Sequence, residues 1–362
     1  MPILAGMYGE ERVSVTRHAL LCESRLNDSL ENQGNSVMVR CRIQSMESFT
    51  FSAYGLQISS AIELPLPRIS STGKGAADNS GGDRPADVVI RFGDVPTALE
   101  NPVTSTPVIQ VTSREFLFSL PGVGRFRIQD GRDVCVHCET AASESTLGLH
   151  LAHTGLAAVL FQLGKLPLHA SGVLSDGGCV AFLGGSYAGK STMAAALCQR
   201  GCAALCDDIC AVTVAEGIAT VSQGTGRLEL WADAAKALGL SPESAPRAHP
   251  EGERYGFPTD LPALDQPIPL RRLYILREAR EEPEEVSRLT EIEAFKYLFC
   301  HTYFTPHIAG WADNPIAFGA YAAIARSVPI FVWHRQWGLD RLAATADCLE
   351  NHLKSSVPEK AE

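Results

Sequence analysis

Residues 179–201 read Cys-Val-Ala-Phe-Leu-Gly-Gly-Ser-Tyr-Ala-Gly-Lys-Ser-Thr-Met-Ala-Ala-Ala-Leu-Cys-Gln-Arg-Gly. Within them, Gly184 to Ser191 fit the phosphate-loop pattern G-x-x-x-x-G-K-[ST] at every fixed position. Glycines let successive backbone N–H groups converge on one small bowl, lysine adds a point charge at the outer phosphates, and the serine hydroxyl is a ligand for Mg²⁺. So short a pattern needs its context. Cys179–Leu183 is an apolar run of the kind that forms a buried parallel strand. Ser191–Arg200 is rich in good helix formers, and Gly201 is placed to end that helix. Strand, loop and helix follow in the order that aims a helix N-terminus at an anion. The nucleotide-holding residues expected from this are Gly184, Gly185, Ser186, Tyr187, Ala188, Gly189, Lys190, Ser191 and Thr192.

The surrounding chain has 362 residues, enough for two domains or one enlarged domain. Its hydrophobic content of 45% suits a packed globular core. A net charge of −10 with both signs well mixed argues against a nucleic-acid role. No run approaches the ~18 apolar residues that span a bilayer, so no membrane partner is expected. The first residues, Met1 to Arg12, carry too short an apolar stretch for a secretory signal, and the cytoplasm is the expected compartment.

Eleven cysteines invite a metal or disulfide reading. Cys198, Cys202, Cys206 and Cys210 recur every four residues, but Gly201 interrupts the helix that would align them. Cys135 and Cys138 lie in an alternating strand, where odd spacing sends them to opposite faces. Neither set has zinc-site spacing, and reduced, mostly buried thiols are expected.

Residues 1–45 show no convincing period and are expected to be a loose extension or the product of a misplaced start. From 46 to 142 the pattern is mostly β: an alternating strand over 48–58, then strands at 86–92, 108–111, 115–120, 126–129 and 134–138, with a flexible loop over 69–84. An exposed edge of this module offers capture of an extended peptide by strand addition. Residues 143–362 read as the catalytic α/β domain: a helix over 143–163, strands at 168–174, 179–183 and 203–206, and a strand at 227–231 leading into a helix near 232–238. A Pro-rich stretch over 241–269 reads as a long loop or lid. Strands at 273–276 and 329–334 and helices at 292–300, 317–326 and 340–354 complete it.

Three features stand beside the loop. Asp207-Asp208 closes a strand, at the end where such sheets place ligands. Phosphoryl transfer uses one carboxylate for the metal and another to orient or deprotonate the attacking hydroxyl, and two adjacent acids suit that need, an acidic strand end facing solvent being the alternative. His169 is either a satisfied core residue or a group that tunes the aspartate. Arg227 is a candidate for neutralising moving charge or a packing residue, and Arg271 and Arg272 share that ambiguity.

In order along the chain, His169 with Gly172-Val173, the loop Gly184–Ser191, Arg200-Gly201 and Asp207-Asp208 resemble the catalytic half of the HPr kinase/phosphorylase family. The likeness is specific over about 165–212. Ala170 and Ser171 separate the histidine from its glycine, and the family's Glu-Ile-Arg-Gly segment has no clear counterpart, Glu229 standing nearest to its place. Softer motifs, Tyr54–Ser60, Leu64-Pro-Leu-Pro67, Gly164–Ala170 and Arg227–Trp231, are similar to HPr-kinase-like proteins of lasso-peptide clusters. The resemblance implies an α/β, phosphoenolpyruvate-carboxykinase-like (HPr kinase-like) P-loop kinase core behind an N-terminal mostly β module. It implies ATP and Mg²⁺ as cofactors, the metal on Ser191 with help from Asp207, and a catalytic set of Asp208 as base, His169 as its modulator, Lys190 as phosphate clamp and Arg227 on the moving charge. It also implies a seryl acceptor on a peptide or small protein, in lasso clusters a serine at the C-terminus of the precursor, and, since authentic HPr kinases are hexamers, a homo-oligomer. A small-molecule kinase on the same fold and a non-catalytic ATP-gated module of a biosynthetic complex remain the alternatives.

Overall fold

The computed structural model describes residues 48–69, 85–139, 142–175, 177–248, 252–279, 284–304 and 315–355. The extension expected over 1–45 and most of the loop expected over 69–84 lie outside them.

The first sheet holds β1 (Phe49–Ala53), β2 (Leu56–Ser60), β3 (Val88–Phe92), β4 (Thr104–Ser105), β5 (Ile109–Val111), β6 (Glu115–Leu120), β7 (Gly124–Gln129) and β8 (Asp133–Cys138), in the order β1-β2-β3-β8-β7-β6-β5-β4. The single strand expected over 48–58 is instead a hairpin. Tyr54 (φ 57°) and Gly55 (φ 74°) both take left-handed conformations, the requirement of a tight primed turn, and the buried set shifts from Phe51 and Ala53 before it to Leu56 and Ile58 after it. The outer edge of β1 is covered rather than open: Ser52 N–H donates to Pro67 O at 3.0 Å and Ile69 N–H to Thr50 O at 2.8 Å. That edge is therefore not available for strand addition.

Next comes a helical stretch, α1 (Glu144–His150), a π-helical turn (Leu151–Gly155) and α2 (Leu156–Gln162). Ser143 caps α1 by accepting the Thr146 N–H.

The second sheet contains β9 (Leu166–Ser175), β10 (Gly178–Leu183), β11 (Ala203–Cys206), β12 (Ile209–Ala215), β13 (Ile218–Val221), β16 (Ile268–Glu278), β17 (Glu285–Arg288) and β18 (Ile330–Arg335). Its order is β10-β9-β12-β13-β16-β18-β17, with β11 added on β9. β9 divides its partners by length: Leu166–His169 pair with β12, and Ala170–Ser175 with β10. β10 is parallel to β16 and antiparallel to β9, so only one side of the expected parallel strand is parallel. β14 (Arg227–Trp231) pairs antiparallel with β15 (Arg254–Pro258) as a separate two-stranded ribbon. This ribbon corrects the reading of 241–269 as loop throughout. Pro258 closes β15, and the prolines around it in sequence obscured a period of only five residues.

The remaining helices are α3 (Lys190–Cys198), α4 (Ala232–Ala237), α5 (Glu291–Cys300), α6 (Pro315–Ser327) and α7 (Leu342–Lys354). α5 begins with a capping box between Thr290 and Glu293. One hydrophobic cluster runs through both sheets, from Phe51, Ile58 and Phe126 across Leu156 and Val159 to Leu168, Leu205 and Ile275. A second lies under α3, where Met193 and Leu197 meet Phe182, Tyr274, Phe331 and Trp333. The alanines 194–196 let this helix approach the sheet closely, which fixes where the loop ahead of it sits. The protein is thus a mixed α/β structure with large sheets, and no described helix is long and apolar enough to cross a membrane.

Candidate active site

The glycine loop lies between the end of β10, buried throughout, and the start of α3. Lys190 Nζ donates to the carbonyls of Gly184 (3.0 Å) and Gly185 (3.1 Å), and Arg335 Nη2 donates to that of Ala188 (2.6 Å). In a trans peptide the N–H points opposite to its C=O. With the carbonyls of Gly184, Gly185 and Ala188 each bound to a cation, the N–H groups of Gly185, Ser186 and Gly189 point away from those cations. Gly189 (φ 81°) takes a left-handed conformation that favours glycine, and a Cβ there would stand 2.5 Å from Arg335 Nη2 and push that side chain aside. Backbone donors turned away from carbonyl-bound cations are of a kind that suits a polyphosphate. Burial pushes the Lys190 ammonium down to about 8 even though Asp208 and Asp207 favour its charged form.

Asp207 and Ser191 meet as expected. Ser191 Oγ donates to Asp207 Oδ1 at 2.8 Å, Ser171 Oγ donates to the same oxygen at 2.5 Å, and Glu229 N–H donates to Oδ2 at 2.7 Å. The Ser191 oxygen keeps its lone pairs while its proton is committed, the arrangement a hard oxygen-binding cation requires of a loop serine. Among the described residues, no group of three or more His, Cys, Asp and Glu side chains is placed to hold a metal. A Mg²⁺ site here would take Ser191, with Asp207 behind it, and complete its shell from phosphate and water.

Asp208 sits on the other side of the pair. His169 Nε2 lies 3.4 Å from its Oδ1, His153 Nε2 lies 3.8 Å from its Oδ2, and the Tyr303 hydroxyl donates to Oδ2. Burial works to raise the Asp208 carboxyl, but the His169 hydrogen bond and the charges of His153, His169 and Arg254 hold it well below the usual range. His169 is thus found against the aspartate and not as an isolated core residue.

Three of these neighbours are not visible in sequence. His153 lies in the π-helical turn, where its Nδ1 is 2.9 Å from Leu149 O and its Nε2 is 3.4 Å from Glu229 Oε1. Such one-turn distortions re-aim a side chain that regular helical spacing would place elsewhere. Burial opposes its charge, yet Glu229 and Asp208 raise His153 to about 9. Tyr303 follows α5, where the chain docks along β9: His169 N–H donates to His301 O at 2.7 Å and Tyr303 N–H to Pro167 O at 3.0 Å. Tyr54 comes from the hairpin turn of the first sheet; it is fully buried, and Asp208, Cys206 and Glu229 act on its hydroxyl. Tyr303 carries no motif, Tyr54 stood only at the head of the soft Tyr54–Ser60 likeness with no role assigned to it, and only a π-turn anomaly in the 143–163 period could have signalled His153.

Arg227 lies at the start of β14 with Nη2 2.6 Å from Glu229 Oε1. Arg254, from β15, has Nε 3.5 Å from Glu229 Oε2, and its charge acts on Asp207, Asp208 and Lys190. Glu229, buried between these cations, is held down to about 2 despite the opposing effect of burial, by His153 first and then Arg254 and Arg227. Among the described residues, the buried Nε atoms of Arg227, Arg254 and Arg335, His301 Nε2 and Tyr54 Oη find no hydrogen-bond partner. Arg271 and Arg272 stand apart on β16; Arg272 binds the carbonyls of His352 and Ser355. Of the four evenly spaced cysteines, Cys206 and Cys210 do meet, with Cys179, in a hydrogen-bonded thiol cluster, and all nine described cysteines are free.

No protein-family model and no curated protein matches the sequence. Among solved structures the chain is similar to the Hpr(Ser) kinase/phosphatase from Coxiella burnetii, with 14% identity and a TM-score of 0.28 over 51% of this chain and 88% of that one.

Proposed function

We propose that this chain is an ATP-dependent kinase that transfers the γ-phosphoryl group to a serine hydroxyl of a peptide or small protein. The observation that carries the reading is the divided aspartate pair beside the glycine loop. One carboxylate is bound to the loop serine, and its neighbour is kept ionised among two histidines and a tyrosine.

ATP would supply the phosphoryl group, which passes to the seryl oxygen as its bond to the β-phosphate bridge breaks, while Mg²⁺ offsets charge on the phosphate oxygens. The amides of Gly184–Gly189 and the Lys190 ammonium would hold the β- and γ-phosphates, with Thr192 in the first turn behind them. Ser191 would offer its oxygen to Mg²⁺, supported by Asp207. Asp208 would accept the seryl proton on a carboxylate oxygen. Because its affinity for a proton is low, it would act chiefly by orienting the hydroxyl and would receive the proton late, which suits a loose transition state. His169, His153 and Tyr303 hold that carboxylate in place. Arg254, with Arg227 paired to Glu229, would face the charge that moves toward the leaving group.

The test is incubation with Mg-ATP and the peptide encoded beside its gene, followed by mass spectrometry. A gain of ~80 Da per phosphoryl group, lost in Asp208→Asn, supports a peptide kinase. An unmodified peptide alongside tight ATP binding would overturn the peptide acceptor.

A further inference from the structure

Tyr187 lies within the glycine loop, three residues before Lys190, yet its side chain is 64% exposed and its backbone takes φ 66°. An aromatic residue in the left-handed region costs about 1 kcal/mol or more, and the loop already relies on glycine where it needs such conformations. Tyr187 stacks on Trp231, with ring centroids 5.4 Å apart and planes inclined by 25°. Trp231 ends β14 and is itself 38% exposed. Its backbone is fixed by pairing with Arg254 and by the Ala232 N–H donated to Glu253 O at 2.8 Å, and its ring lies close over Gly252. The two rings therefore stand at the rim of the phosphate cradle, rigidly based and open to solvent. A strained tyrosine and an exposed tryptophan are poor choices for an empty surface, where burial would gain more. They are good choices for a flat π-system that arrives attached to something the loop already holds.

We propose that the Tyr187–Trp231 pair is the platform on which the base of the bound nucleotide stacks. The proposal rests on the reading of the glycine loop as a phosphate site, and adds to it the position of the base and the side chains that select a nucleotide over bare polyphosphate. Continuity points to a nucleoside as the occupant, because Tyr187 belongs to the same loop that would hold its phosphates and turns an exposed ring to solvent beside them. Stacking tolerates any base, so this contact adds affinity for nucleotides as a class, with little discrimination among purines.

The experiment is calorimetric titration of the full-length protein with Mg-ADP and, separately, with inorganic tripolyphosphate. The proteins compared are wild type, Tyr187→Gly, Tyr187→Phe and Trp231→Leu. Tyr187→Gly removes the ring and relieves the backbone, and Tyr187→Phe keeps the ring. Stacking predicts that Tyr187→Gly and Trp231→Leu each weaken ADP about tenfold. Tripolyphosphate should bind all four proteins within about twofold, and Tyr187→Phe should bind ADP as wild type does. ADP affinity unchanged in both ring-deleting variants would overturn the platform and leave the phosphate loop standing. Equal losses for ADP and tripolyphosphate would also overturn it, by showing that the rings merely shape the loop. Failure of wild type to bind either ligand would overturn both readings.

Discussion

Asp207 and Asp208 are adjacent in sequence and serve opposite halves of the site, because Asp208 takes a left-handed conformation with φ 65°. Asp207 accepts from Ser171, Ser191 and the Glu229 N–H, whereas Asp208 turns to His169, His153 and Tyr303. The reversal of one residue's backbone separates a carboxylate bound to the loop serine from one turned to the histidines and tyrosine, without lengthening the chain.

Asp208→Asn separates chemistry from binding. Asparagine tolerates the left-handed region as well as aspartate does, so the backbone should hold. Loss of a properly placed proton acceptor should reduce turnover by about 10²–10⁴-fold, while Mg-ADP affinity measured by calorimetry stays within about threefold of wild type. Near-normal turnover would remove Asp208 from the role of base.

Tyr303→Phe deletes the hydroxyl that holds Asp208 Oδ2 and leaves the ring packed against His169, 5.4 Å between centroids. A hydrogen bond to a charged group is worth about 1.5–3 kcal/mol. The expected result is a fall in kcat of about tenfold or more, with little change in ADP affinity. A change in nucleotide affinity alone would place Tyr303 outside the acceptor side.

Lys190 predicts a proton linked to nucleotide binding. Burial lowers it to about 8, so near pH 8.5 the empty protein carries a large share of neutral amine. Phosphate beside it favours the ammonium, and binding should take up a proton. Calorimetry of ADP at pH 8.5 in buffers of different ionisation enthalpy should show uptake that is absent at pH 6.5 and absent in Lys190→Met. Proton release, or no linkage, would contradict the assignment.

His153 gives a stability signature at alkaline pH. Its value rises from about 6.5 unfolded to about 9 folded. The stability it contributes is therefore complete below about 6.5 and is lost as pH climbs through about 9, an effect on the order of 1–3 kcal/mol. Lys190, lowered by folding, has the opposite slope, so the comparison must be between wild type and His153→Gln. Their denaturant midpoints should converge between pH 7 and pH 10. A constant gap would mean that the histidine acts by packing and not by charge.

The glycine loop, the strand before it, the helix after it and the aspartate pair were legible in the sequence alone, because each is a local matter. Glycine tolerance, apolar runs and helix formers act within a few residues, and a loop flanked by strand and helix has little freedom in where its groups point. Tertiary structure decided the rest. His153 reaches Glu229 and Asp208 because a π-turn rotates it off the helical period. Tyr303 reaches Asp208 because the chain after α5 docks on β9, and Tyr54 enters from a hairpin more than a hundred residues upstream of the aspartates. Arg254 entered unannounced, because five residues among prolines look like loop until β14 pairs with them. Each of these contacts depends on a distance between residues far apart in the chain. Local patterning cannot encode such a distance; packing of the two sheets and their helices sets it.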